Sequence, residues 1–186
     1  MRDFLEKKIK QDLPPGRRAH SFSVARLAES LGRRWGVDPQ RAFIAGLMHD
    51  CARALPPERL RELLRGYRGR TWDKATRALP ALWHAPAGAV QAYRRYGIRD
   101  TGVLRACALH ATGAPGMRTL DKIIFIADYA EPRRSFAAAA RLRQLATKDL
   151  EAALAAAVRA KNAYLQSRGA VVHPRSRALL ASLAKS

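Results

Sequence analysis

Apolar positions along this chain recur at the three-to-four spacing of helices, with no sustained two-residue alternation of the kind a half-buried strand shows. Residues 21–35 put Val24, Leu27, Ala28, Leu31 and Trp35 on one face, with Arg26, Glu29, Arg33 and Arg34 outside it. Gly36 ends that helix. Asp38 and Pro39 then supply an N-cap and a first-turn proline for a second helix over about 39–51. This one is apolar almost all round (Ala42, Phe43, Ile44, Ala45, Leu47, Met48), which places it in the middle of a bundle. It delivers a fused His49-Asp50 pair at its C-terminal end.

The pattern continues downstream. Pro56-Pro57 opens a basic helix of roughly 57–65, and a short helix of about 73–79 stops before Pro80. His84 precedes Ala85-Pro86 and a helix of about 86–96, which breaks at Gly97. Residues 101–111 carry Val103, Ala106, Cys107 and His110 on neighbouring faces, and Gly113-Ala114-Pro115-Gly116 must be a loop. Residues 119–130 hold Ile123, Ile124, Phe125 and Ile126 in a run whose periodicity fits helix or strand; its length, and the lack of a partner strand, favour helix. A last long helix of about 147–167 stacks Leu150, Leu154, Val158 and Leu165. The expected fold is all-α, one domain over 1–186 with no dividing linker.

Composition narrows the picture. The chain has 186 residues and 48% hydrophobic content, enough for a real core without staples. No run of roughly 18 apolar residues is present, so no membrane span is expected. The N-terminal MRDFLEKKIKQDLPPG lacks a signal-peptide core, and Cys51 and Cys107 are too few for a disulfide framework. A cytoplasmic protein with reduced thiols is the expectation. Charge is lopsided: 35 basic against 15 acidic residues give +20. Such an excess draws polyanions, so RNA contact enters as a partner class. Yet the basic residues are mostly arginine, scattered as pairs (Arg17-Arg18, Arg33-Arg34, Arg94-Arg95), and accompany abundant alanine. A GC-rich genome yields that composition with no partner at all. Either origin steers a small anion inward.

The chemistry lies in His20, His49-Asp50, His84, His110 and Asp128. A single histidine is usually a surface or hydrogen-bonded core residue. Four histidines beside apolar segments, where an unpaired ring is costly, form a stronger signal together. Asp50 and Asp128 each close an apolar run (AFIAGLMHD, KIIFIAD), where a carboxylate needs a metal or an arginine partner. Imidazole and carboxylate together bind Fe, Mn, Co or Zn, and two such ions can clamp phosphoryl oxygens and acidify a water. Sequence neighbours such as His49 and Asp50 converge on one centre only where a helix ends or bends.

These residues carry a resemblance. His20, the HD pair and Asp128 resemble the HD-domain superfamily of metal-dependent phosphohydrolases, and His84 and His110 resemble the extra ligands of its two-metal members. More narrowly, HSFSVA (20–25), GLMHDCAR (46–53), HAPAGA (84–89), HATGAPGM (110–117) and KIIFIADYAEPRRSF (122–136) are similar to the YqeK family of bacterial symmetrical diadenosine-tetraphosphate hydrolases. The likeness runs from about 15 to 175. It implies an HD-domain bundle with a central metal site, one ion on His20, His49, Asp50 and Asp128, and another on Asp50, His84 and His110. Iron is the implied pair, with manganese or cobalt as alternatives. A metal-bound hydroxide attacking an inner phosphorus would give two ADP, with His49 and Asp50 central to catalysis; a homodimer enters as a further partner. Two features depart from the family: Arg53 stands where lysine is usual, and Arg133 with Ser135-Phe136-Ala137 replaces a different run.

A phosphate wall is expected from Arg53, Lys122 and Arg134, each of which is otherwise a solvated or helix-end charge. Arg133 reads as solvated. Thr112 and Gly113 offer a hydroxyl and a backbone N–H, or else a plain helix C-terminus. Trp72, Trp83, Tyr93 and Tyr96 are stacking candidates, although aromatics in bundles are more often core. Cys51 and Cys107 read as small hydrophobes near the metal, and His173 as a surface residue. Competing with the leading reading are an HD phosphohydrolase on another nucleotide, such as a (d)NTP, a monophosphate or a cyclic nucleotide, and a basic RNA- or ribosome-associated binding module without turnover.

Overall fold

Gly36 takes a left-handed φ of 68°, and there the chain reverses between α2 (Pro15–Arg34) and α3 (Pro39–Met48). Gly97, at φ 70°, does the same between α6 (His84–Tyr96) and α7 (Thr101–Leu109). Only glycine adopts this conformation without cost. Asp38 and Asp100 follow the two glycines and cap α3 and α7, each accepting from backbone N–H groups of the next turn. Two antiparallel hairpins result, built on one plan.

The computed structural model describes residues 1–184, the side chain of residue 137 excepted; within them lie eleven α-helices, one 3-10 turn and no strand. Beyond the two hairpins these are α1 (Arg2–Asp12), α4 (Pro57–Leu64), α5 (Lys74–Arg77), α8 (Thr119–Ala130), α9 (Ala137–Lys148), α10 (Leu150–Ser167) and α11 (Pro174–Leu183). The 119–130 run is a helix, buried along Ile123–Ala127. α2 begins six residues earlier than its apolar stripe, because Pro15 starts a turn that contributes no core face until His20. α3 stops at Met48, since the chain tightens into turns through residue 54. Asp149 accepts from the Ala152 N–H and splits the expected 147–167 helix from α9. Alanine-rich α9 gave too weak a stripe to be read from sequence, as did short, basic α11.

α3 is central. Gly46 lies so close to α2 that an added Cβ would stand 2.7 Å from the Ala25 Cα, and Gly32 faces the Ala42 Cβ in the same way. Small residues thus let the first hairpin close tightly, with buried Phe43, Leu47 and Met48 turned to the remaining helices. α1 lies across this core through fully buried Leu5 and Ile9, and Arg2 sits 3.5 Å over the Phe43 ring. A second, smaller apolar cluster joins α4 to α6 through Leu60, Leu63, Leu64 and Trp83.

Candidate metal centre

Each hairpin carries one histidine near the start of its first helix and one just past the end of its second. Antiparallel packing therefore brings His20 to His49, and His84 to His110. The Nε2 atoms stand 3.3 Å apart in the first pair and 3.2 Å apart in the second. All four rings are buried.

Their outer nitrogens fix the tautomers. His49 Nδ1 lies 2.7 Å from the Gly46 carbonyl, His110 Nδ1 2.7 Å from the Cys107 carbonyl, and His84 Nδ1 2.8 Å from the Ala81 carbonyl. A carbonyl only accepts, so each Nδ1 carries the proton. His20 Nδ1 donates to Glu131 Oε1 at 3.1 Å. In the neutral rings, the two bare Nε2 lone pairs of each pair then face each other across hydrogen-bond distance with no proton between them. Such an arrangement is repulsive unless a cation lies in the middle. The donor set fits a metal.

The carboxylates complete it. Asp50 Oδ1 is 3.6 Å from His84 Nε2 and 3.5 Å from His110 Nε2, while Oδ2 is 3.7 Å from His49 Nε2. One carboxylate thus faces both pairs, because position 50 lies in the turn that ends α3. Asp128 Oδ1 is 3.1 Å from His20 Nε2 and 3.7 Å from His49 Nε2. Groups His20/His49/Asp50, His49/His110/Asp128 and Asp50/His84/His110 each gather within 4.8 Å.

Electrostatics follow the geometry. Burial would raise the Asp50 carboxyl, but the imidazoles of His49, His110 and His84 outweigh it and hold it well below the carboxylate range. Asp128 is likewise pulled down by His20 and His49 against its burial. Burial, His110 and Arg53 together push His84 down, which keeps it a neutral acceptor. His49 moves the other way: burial lowers it, but Asp50 and Asp128 more than compensate.

A cavity of about 900 Å³ opens over the cluster and contains Asp50, His84, His110 and Asp128 in its wall. Arg53 and Arg134 line it; Arg53 Nη1 is 2.7 Å from the His84 ring nitrogens, and Arg134 Nη2 3.2 Å from Asp128 Oδ1. Thr112 also lines it, though its hydroxyl donates to the Gly113 carbonyl. Arg133, read as a solvated charge, stands at the same wall.

Three expectations need correcting. Lys122 points away and pairs with Glu151, since its turn of α8 faces α10. Gly113 N–H donates to the Leu109 carbonyl at 2.7 Å with φ 62°, so it ends α7 as a left-handed cap and does not reach the cavity. His173 is buried: it caps α11 through the Arg175 N–H and bonds Thr76 Oγ1 at 3.2 Å. Of the stacking candidates, Trp83 and Tyr96 are core and Trp72 packs edge-on to Trp83.

Sequence reasoning missed other residues of the site. Arg17 stands one turn before His20 on the same face and donates to Asp50 Oδ2 at 3.2 Å. Glu131 is buried one turn after Asp128 and orients His20. Lys161 lines the cavity with no ion pair among the described residues, resting 4.9 Å over the Phe125 ring. Its signal was a lone lysine beside buried Ala157, Val158 and Asn162. Tyr129, Phe136 and Tyr164 supply the cavity's aromatic lining.

The HD domain family matches residues 17–133. Over 89% of this chain, 35% of residues are identical to symmetrical bis(5'-nucleosyl)-tetraphosphatase of Bacillus subtilis (strain 168), covering 88% of that protein. The Staphylococcus aureus (strain NCTC 8325 / PS 47) protein of the same name is 31% identical over 74% of this chain and 70% of its own length. A crystal structure from Clostridium acetobutylicum, described as a predicted HD superfamily hydrolase involved in NAD metabolism, superposes with a TM-score of 0.92 at 32% identity, covering 100% of this chain and 97% of that one. With the His/Asp cluster in place and the match spanning most of its length, this chain belongs to the HD-domain hydrolase family, within the group that holds the symmetrical bis(5'-nucleosyl)-tetraphosphatases.

Proposed function

We propose that this protein hydrolyses diadenosine tetraphosphate symmetrically to two ADP, with two metal ions held by His20, His49, Asp50, His84, His110 and Asp128. The observation that carries the reading is the double-faced Asp50, one oxygen toward each histidine pair. Two ions so held would supply an acidified water and polarised P–O bonds. His20, His49, Asp50 and Asp128 would hold the first and Asp50, His84 and His110 the second; iron, manganese or cobalt suits this ligand set.

The remaining work falls to the chain's own side chains. Arg17, Arg53, Arg134 and Lys161 converge on the polyphosphate from four segments and offset its charge. The departing group is a diphosphate anion, so neutralisation by these cations matters more than a general acid. Apolar stretches flank the site from two segments, Leu79–Leu82 before His84 and Tyr129 with Phe136 after Asp128. A substrate with a base at each end suits that pairing and would lay its central phosphates over the carboxylates.

Product chromatography after incubation of metal-loaded protein with diadenosine tetraphosphate tests the reading. ADP as sole nucleotide product supports it; ATP and AMP, or no turnover, overturns it. A second reading, hydrolysis of another nucleotide, is favoured by one observation: no Asn or Gln lines the cavity to read a base edge. A panel of (d)NTPs, monophosphates and cyclic nucleotides separates the two by relative kcat/KM.

A further inference from the structure

A second cavity, about 950 Å³ in volume, lies behind the second hairpin, between α6, α7, the 65–71 loop and the 114–116 turn. It equals the catalytic cavity in size, and its chemistry is the reverse. No histidine or carboxylate lines it. Six arginines do, from the 65–71 loop (Arg65, Arg68, Arg70), α6 (Arg94), α7 (Arg105) and α11 (Arg175). Arg105 and Arg175 already hold Asp121 and Asp73, yet a buried nitrogen of each guanidinium, Arg105 Nε and Arg175 Nη1, finds no acceptor among the described residues. Buried donors of this kind are normally satisfied, so a missing acceptor is informative. Arg65, Arg68, Arg70 and Arg94 are exposed and have no carboxylate partner among the described residues.

The floor is of a different kind. Ala89, Val90, Leu104 and Ala108 form an apolar patch flanked by Tyr67 and half-exposed Tyr93. A bare phosphate or sulfate would leave that patch uncovered. A planar base on the floor with a short run of phosphates at the arginine rim satisfies both halves. Lacking any metal ligand, the cavity would bind such a molecule without hydrolysing it.

We propose that this cavity is a second nucleotide site, taking a nucleoside di- or triphosphate with its base against Leu104 and Ala108 and its phosphates on Arg68, Arg70 and Arg94. The site is independent of which nucleotide the catalytic centre cleaves.

Equilibrium dialysis of the metal-loaded protein with labelled ADP, which the catalytic cavity cannot cleave symmetrically, provides the test. The wild type is expected to bind ADP both here and in the catalytic cavity, at least two per chain. Arg68→Glu/Arg94→Glu, both exposed and remote from the core, should weaken one of these by at least about tenfold while leaving kcat on the catalytic substrate unchanged. Lys161→Ala should weaken only binding in the catalytic cavity. One ADP per chain in the wild type, or a stoichiometry that Arg68→Glu/Arg94→Glu leaves intact, overturns the proposal. So does equal competition by inorganic pyrophosphate, because the floor would then contribute nothing. Arginine-dependent binding of a single-stranded RNA oligonucleotide that ADP does not displace would assign the surface to RNA, again against the proposal.

Discussion

The two hairpins share a plan and differ in what surrounds their histidines. In the first, His20 is backed by the Glu131 carboxylate and faces Asp128. In the second, His84 is backed by the neutral Ala81 carbonyl and has the Arg53 guanidinium against its ring. The residue after His49 is Asp50; the residue after His110 is Ala111. Anionic backing raises the basicity of a ligating imidazole, and a neighbouring cation lowers it. Matched backbones therefore carry unequal surroundings, from which a tighter first metal site and a weaker second one are expected.

The largest effect should come from removing the group both halves share. Asp50→Ala is expected to bring kcat/KM below about a thousandth of wild type, because groups acting as a unit fail together; steady-state kinetics on the metal-loaded variant checks this. Next is the backing of the first half. Glu131→Gln should lower metal affinity about 10–100-fold with the fold intact, as expected for an outer partner of a ligand histidine, read by metal titration against circular dichroism.

The hairpin backbones also differ. A Cβ at Gly46 would meet the Ala25 backbone at 2.7 Å, whereas one at Gly88 would meet only the His49 carbonyl at 3.3 Å. Gly46→Ala is thus expected to destabilise the fold by about 1–3 kcal/mol in urea unfolding, and Gly88→Ala by less. The smallest effect concerns pH. Burial pushes the Lys161 ammonium below its ordinary pKa. It is charged below that lowered value and neutral above it, so KM should rise as pH increases through it. A bound metal pair would shift Lys161 in the same direction. Lys161→Arg should flatten the rise, since a guanidinium stays charged, and nucleotide binding at the all-arginine cavity should show no such rise.

Much of this was legible because helix punctuation is local. Gly36, Asp38-Pro39 and Gly97 mark the hairpin turns without reference to the rest of the fold, and the fused His49-Asp50 sits at a helix end where neighbours can converge. The six-residue cluster could be read because unpaired polar groups beside apolar runs demand partners. Residues whose role depends on direction could not. Lys122 and Lys161 both sit on helices with apolar stripes, and only the docking of α10 decides that one meets Glu151 while the other turns into the cavity. His173 looked exposed in a basic tail because nothing local reveals that Thr76, nearly a hundred residues earlier, meets it. Glu131 was hidden by the same limit: its partner, His20, lies in another helix.

The most direct measurement is metal titration of the metal-free protein, wild type beside His84→Ala, with Mn²⁺ counted per chain after excess is removed. Two ions of unequal affinity in the wild type, with His84→Ala retaining the tighter one, is the predicted result. A wild type that holds one ion or none, or a His84→Ala variant that loses both, would contradict a dinuclear centre built from two unequal hairpins.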